Sequence, residues 1–148
     1  MLDYEITEET CALVAINDLS TKIIELDNEI ILNTSTLKIL DYSCKYYGSS
    51  YIGRKDGSIN ILKNIYKIPI IVEESKNIIF FPINSPRYHN STWISVKNIK
   101  SYRKIEENTE ITFKSGKKMI AKISYSSLQK QILRASYLEM ISLSRKSF

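Results

Sequence analysis

The chain has 148 residues, 43% apolar and 25% charged, which suits one globular domain able to bury about 70% of its unfolded surface. No apolar run approaches the roughly 20 residues that span a bilayer, and Met1-Leu2-Asp3-Tyr4-Glu5 is acidic, unlike a signal peptide, so a cytoplasmic protein with no membrane partner is expected. Net charge is +5 but uneven: residues 1–43 hold nine carboxylates against two lysines, net −7, and residues 44–148 hold nineteen basic residues against seven carboxylates, net +12. That asymmetry fits a polyanionic partner, whether nucleic acid or an anionic membrane, or a lysine-rich solvated surface with none.

Short apolar runs open the chain, and Cys11–Ile16, Lys22–Leu26 and Glu29–Leu32 read as strands. Thr34-Ser35 then offers a helix N-cap. Leu37, Leu40, Cys44 and Tyr47 recur at helical spacing and Gly48 suits the left-handed position after a helix, so a helix near 36–47 is predicted. A glycine-framed loop follows from Gly48 to Gly57, and Ser58–Tyr66 is ambiguous between strand and short helix. Pro69–Glu73 and Ile78–Phe81 read as an antiparallel pair, and Asn84–Thr92 as a loop containing the single histidine, His89. Trp93–Val96, Ile99–Ile105, Thr109–Phe113 and Met119–Ile123 read as further strands. A three-residue loop, Lys114-Ser115-Gly116, puts Ile111, Phe113, Met119, Ala121 and Ile123 on one face, so Gly116 is expected left-handed in a bulge, with Lys114, Lys118 and Lys122 on the other face. Ser124 caps a last helix near 125–143. Its stripes, Leu128-Ile132-Ala135 and Leu133-Tyr137-Met140-Ile141, lie on nearly opposite sides, so the second is a candidate oligomer contact. The expected fold is a single α+β domain over 1–148, rich in antiparallel strands. No helix pair joined by a short turn is read, which argues against a helix-turn-helix.

Three of the four glycines fall in Gly48-Ser49-Ser50-Tyr51-Ile52-Gly53-Arg54-Lys55-Asp56-Gly57. The spacing begins like a phosphate-binding P-loop and then departs from it, because Arg-Lys stands where Lys-Ser/Thr is needed and a helix precedes it. One histidine and two cysteines outside any CxxC spacing give no metal centre, cofactor site or catalytic triad; Cys11 and Cys44 read as reduced buried thiols. The segment is left with hydroxyls, an exposed-looking tyrosine, glycine-freed amides and two cations. That set can hold phosphates, or the glycines make tight turns only, with Tyr46, Tyr47 and Tyr51 packed inward.

Lys22-Ile23-Ile24-Glu25, then the run Ser43-Cys44-Lys45-Tyr46-Tyr47 continuing through the GSSY-x-GRK-x-G string to Gly57, closely resembles the ComK family of competence transcription factors. Phe80-Phe81-Pro82, Trp93-Ile94-Ser95, Thr112-Phe113-Lys114-Ser115-Gly116-Lys117 and Ile123-Ser124-Tyr125 follow in the family's order. The resemblance implies a non-enzymatic activator of DNA-uptake genes in low-GC Gram-positive bacteria, acting at the nucleoid. It would bind double-stranded A/T-rich boxes, chiefly through the minor groove, as a dimer or higher oligomer, with RNA polymerase as a further partner. On this reading Arg54 and Lys55 insert into the groove or meet phosphates. Ser49, Ser50 and Tyr51 contact phosphates or shape the loop, and Lys97, Lys100, Lys118 and Lys122 steer the DNA backbone. Longer relatives carry a C-terminal tail read by an adaptor that delivers them to a protease; this chain ends at Phe148, natively or by truncation, so the resemblance leaves such control open or places it on another surface. The second reading is a protein-interaction module that regulates transcription without touching DNA, using the apolar stripes of the last helix.

Overall fold

Strands form where at least one face of an apolar run finds cover. In the computed structural model, which describes residues 4–85 and 90–146, β1 (Thr10–Asn17), β2 (Ser20–Glu25) and β3 (Glu29–Leu32) make an antiparallel meander. Two helices follow, α1 (Thr36–Tyr46) and α2 (Tyr51–Leu62), and then the hairpin β4 (Ile70–Glu73) and β5 (Ile78–Pro82). Strand β6 (Trp93–Ser95) inserts between β1 and β5, completing a six-stranded sheet in the order β3-β2-β1-β6-β5-β4. A 3₁₀ turn, Val96–Asn98, leads to β7 (Ile99–Ile105), β8 (Asn108–Phe113) and β9 (Lys118–Ala121), a separate three-stranded sheet, and the described chain closes with α3 (Tyr125–Arg145).

The layers follow from side-chain alternation. Leu13, Ile23, Ile70, Phe80 and Trp93 face α1 and α2, where they meet Ile39, Leu40, Cys44 and Tyr51. Their neighbours Ala12, Ile24, Phe81 and Ile94 face the opposite way, onto Ile111, Phe113 and Ala121 of the small sheet and Leu128 of α3. Ile71 and Ile79 complete that side against Ala135 and Leu138. Because both faces are covered, β5 is buried throughout. The architecture is α+β and rich in antiparallel strands, as the residue pattern predicts, and the strands divide into two sheets.

Most boundaries also agree with the pattern. Ser35 and Ser124 cap α1 and α3 through hydroxyls that accept the amides of Lys38 and Ser127. The β8–β9 loop has three residues: Phe113 N–H donates to Lys117 O at 2.8 Å and Gly116 is left-handed at φ +94°. Cys11 and Cys44 are free and buried, and burial pushes their thiols up to about 11 and about 12. His89 and residues 86–88 of the predicted loop lie outside the described residues.

Two expectations fail together. The glycine-framed stretch is not a loop, since residues 51–62 are the helix α2, which also resolves most of the ambiguous Ser58–Tyr66 segment. As a result α1 and α2 form a helix pair joined only by residues 47–50, the arrangement that the sequence pattern argues against. The reason lies in the end groups. Gly48, at φ +92°, ends α1, and Ser50 restarts a helix by accepting the Gly53 amide on its hydroxyl at 3.0 Å. Gly53 and Gly57 have no positive φ and sit inside the helix.

Candidate nucleic-acid interface

The α1–α2 turn uses up its own donors. Gly48 N–H and Ser49 N–H donate to Lys45 O and Cys44 O, while Tyr51 N–H donates to Asp41 Oδ1 at 2.9 Å. With Gly53 N–H on Ser50, the amides that a phosphate could use at this helix start are largely taken. Burial alone would push the Asp41 carboxyl up; the Tyr51 amide and Lys45 outweigh it and hold the group below its ordinary value. A protein carboxylate therefore stands where an anion would dock.

The predicted contact residues separate around this helix. Tyr51 follows the inward-packed alternative and is not exposed: its ring is in the core, edge-on to Trp93 at 6.1 Å, and burial pushes its phenol up to about 12, so it shapes the turn and its ring does not face a phosphate. Ser50 is a cap, and Ser49 reaches the rim of a cleft between α2 and α3. Arg54 turns into that cleft and pairs with Glu74 at 3.2 Å, its side chain 22% exposed. Lys55 lies across the helix in a groove with Leu37, Tyr51 and Tyr66. The outward positions of α2, namely Ile52, Gly53, Asp56, Gly57 and Asn60, carry no cation. A helix with that face is a poor match for a DNA groove, although it belongs to a helix pair.

The lysines predicted for steering sit elsewhere. Lys97 is occupied by Glu8 and by the carbonyl of Lys76, and the hydrogen bond from Lys97 holds the Glu8 carboxyl below its ordinary value. Lys100, Lys118 and Lys122 are exposed on or beside the small sheet. Register sets Ser101, Thr112 and Lys118 in one row and Arg103, Glu110 and Ile120 in the next, while Ile111, Phe113 and Ala121 point to the core. Lys104 and Lys114 are exposed nearby, and no sequence motif marks them as contacts. Among the described residues, the one ion pair on this sheet is Arg103 Nε to Glu110 at 2.8 Å. Asn98 fixes the sheet to the first layer, its amide donating to the carbonyls of Glu8 and Thr10 at 2.9 Å each.

On α3, Leu133, Tyr137 and Met140 are 64%, 47% and 57% exposed, while Ile141 is half-buried; Leu143, outside the predicted stripe, is partly exposed at the edge of the helix facing Ile71 and Ile79. Among the described residues, no group of three or more His, Cys, Asp or Glu side chains is placed to hold a metal ion, and no helix is long and apolar enough to cross a membrane.

The structure thus combines an α+β frame with a separate lysine-bearing sheet, on a chain whose sequence matches one known family. Residues 1–147 match the ComK protein family, and the chain belongs to it. It is 37% identical over 139 residues to the "Competence transcription factor" of Bacillus subtilis (strain 168), covering 91% of this chain and 72% of that protein. No solved structure matches it.

Proposed function

We propose that the protein is a non-enzymatic transcription activator of competence genes that works in the cytoplasm at the nucleoid, binds A/T-rich duplex DNA and acts as a dimer or larger assembly. Family membership supports the activator role. The observation that carries the DNA-binding reading is the outer small sheet, where Lys100, Lys104, Lys114, Lys118 and Lys122 are exposed and, among the described residues, free of ion pairs. Clustered lysines beside a single paired arginine supply phosphate neutralisation without an internal carboxylate for each charge. A sheet face can enter a DNA groove as a helix can. A-tracts narrow the minor groove and deepen its negative potential, which favours such cations without strict base readout. RNA polymerase is the partner that an activator's role requires.

The test is footprinting on a duplex carrying paired A-rich and T-rich boxes, with a minor-groove-binding drug as competitor. Protection that the drug displaces is expected. Protection indifferent to the drug but blocked by major-groove methylation would overturn the minor-groove assignment.

A further inference from the structure

Between α2 and α3 a cleft of about 310 Å³ opens beside β4. Arg54, Arg145 and Lys146 line it against one carboxylate, Glu74, which accepts from both Arg54 and Lys146. Arg145 Nη1 donates to Asn60 Oδ1 at 2.7 Å, across the mouth from α3 to α2. Two buried polar atoms on the same wall find no hydrogen-bond partner among the described residues: Arg54 Nε and the hydroxyl of Ser58, a residue 2% exposed. Ser58 follows Arg54 by one helical turn, so both lie on one side of α2. An unmet buried donor is destabilising, and a ligand oxygen in the cleft would supply the acceptor that both of these lack. Gly53 and Gly57 line this wall as well, and a Cβ added at Gly57 would meet nothing within 4 Å. The wall is therefore open to a ligand.

We propose that this cleft binds a phosphate group through Arg54, Ser58, Arg145 and Lys146, with Glu74 as the internal carboxylate that holds the cations until a phosphate displaces it. Guanidinium forks and an ammonium suit a tetrahedral dianion, whose oxygens accept from more directions than one carboxylate. The phosphate comes either from the backbone of bound DNA or from a small phosphorylated molecule. The first source rests on the DNA-binding reading above; the second is independent of it.

Inorganic phosphate is titrated at constant ionic strength against chloride while the amide NMR spectrum is followed. Saturable shifts at Gly53, Gly57 and Ser58 are expected. Arg145→Ala, at an exposed position, should weaken binding about tenfold. Glu74→Gln removes the internal competitor and should tighten it. A cleft with only a structural role would show no saturable shift, and weaker phosphate binding in Glu74→Gln would equally overturn the proposal. A duplex titration separates the sources. With backbone phosphate as the ligand, Arg145→Ala lowers DNA affinity and reduces the log–log salt slope by about 0.9. With a free phosphorylated molecule, DNA affinity is unchanged and phosphate still binds the DNA-bound protein. Loss of the DNA-binding reading would leave the NMR result standing by itself.

Discussion

Gly53 and Gly57 occupy one helix one turn apart, yet a methyl group at each meets different surroundings. At Gly57 it enters open space in a helical backbone, so Gly57→Ala should stabilise the fold by about 0.5–1 kcal/mol through helix propensity. At Gly53 it would approach Ser49 Oγ at 3.1 Å and Ser50 Oγ at 3.2 Å. Ser50 is the N-cap, worth about 1 kcal/mol, so displacing it cancels or exceeds the propensity gain. Urea unfolding should therefore place Gly57→Ala above the parent and Gly53→Ala level with it or below. Equal gains at both positions would show that the serines yield freely and that the close approach has no role. The glycine cluster is thus explained by a turn at Gly48 and a tight cap at Gly53, and only Gly57 leaves a wall open for other use.

At the scale of elements, α3 buries Leu128, Ala135 and Leu138 and turns Leu133, Tyr137 and Met140 outward. An apolar stripe on the solvent side of a helix is stabilised when a second surface covers it. Tyr137→Glu should shift sedimentation toward the monomer while leaving the circular dichroism spectrum intact. An unchanged sedimentation profile would count against a self-contact on this face. Most of both α3 stripes was legible because 3.6-residue periodicity over a long helix leaves little ambiguity, although buried Leu138 falls outside the predicted inner stripe and Ile141 of the outer one is half-buried; the β8–β9 loop was legible because one buried face admits one register. Helix α2 was hidden for the converse reason. Its buried positions include Ser58 and its exposed ones Ile52, so hydrophobic periodicity is weak, and glycine spacing suggests a loop instead. Tyr51 looked exposed among polar neighbours, but the helix starting there rotates its ring onto Trp93. The pairing of Arg54 with Glu74 crosses from α2 to the β4–β5 turn, a tertiary contact that no local pattern announces.

For the whole molecule, the opposed charges of residues 1–43 and 44–148 become a matter of placement. Many cations of the basic part are already engaged: Arg54 and Lys146 by Glu74, Lys97 by Glu8, Arg103 by Glu110, and Arg134 by the carbonyls of Tyr66 and Lys67. Total charge therefore overstates what is free to meet a polyanion, and the lysines of the small sheet carry more weight than their number suggests. Replacing Lys118 and Lys122 together with alanine should reduce the log–log salt slope of DNA binding by about 0.9 for each phosphate no longer neutralised. The control is the pair Lys38→Ala and Lys63→Ala, exposed on α1 and just after α2, which removes the same formal charge from the other layer. Long-range attraction alone would make the two double variants behave alike, because both lower the net charge equally. Direct engagement of phosphates at the sheet predicts a smaller slope for Lys118/Lys122 and a nearly unchanged one for the control, measured by fluorescence anisotropy across a salt series. Equal slopes in the two variants would move the DNA away from the small sheet.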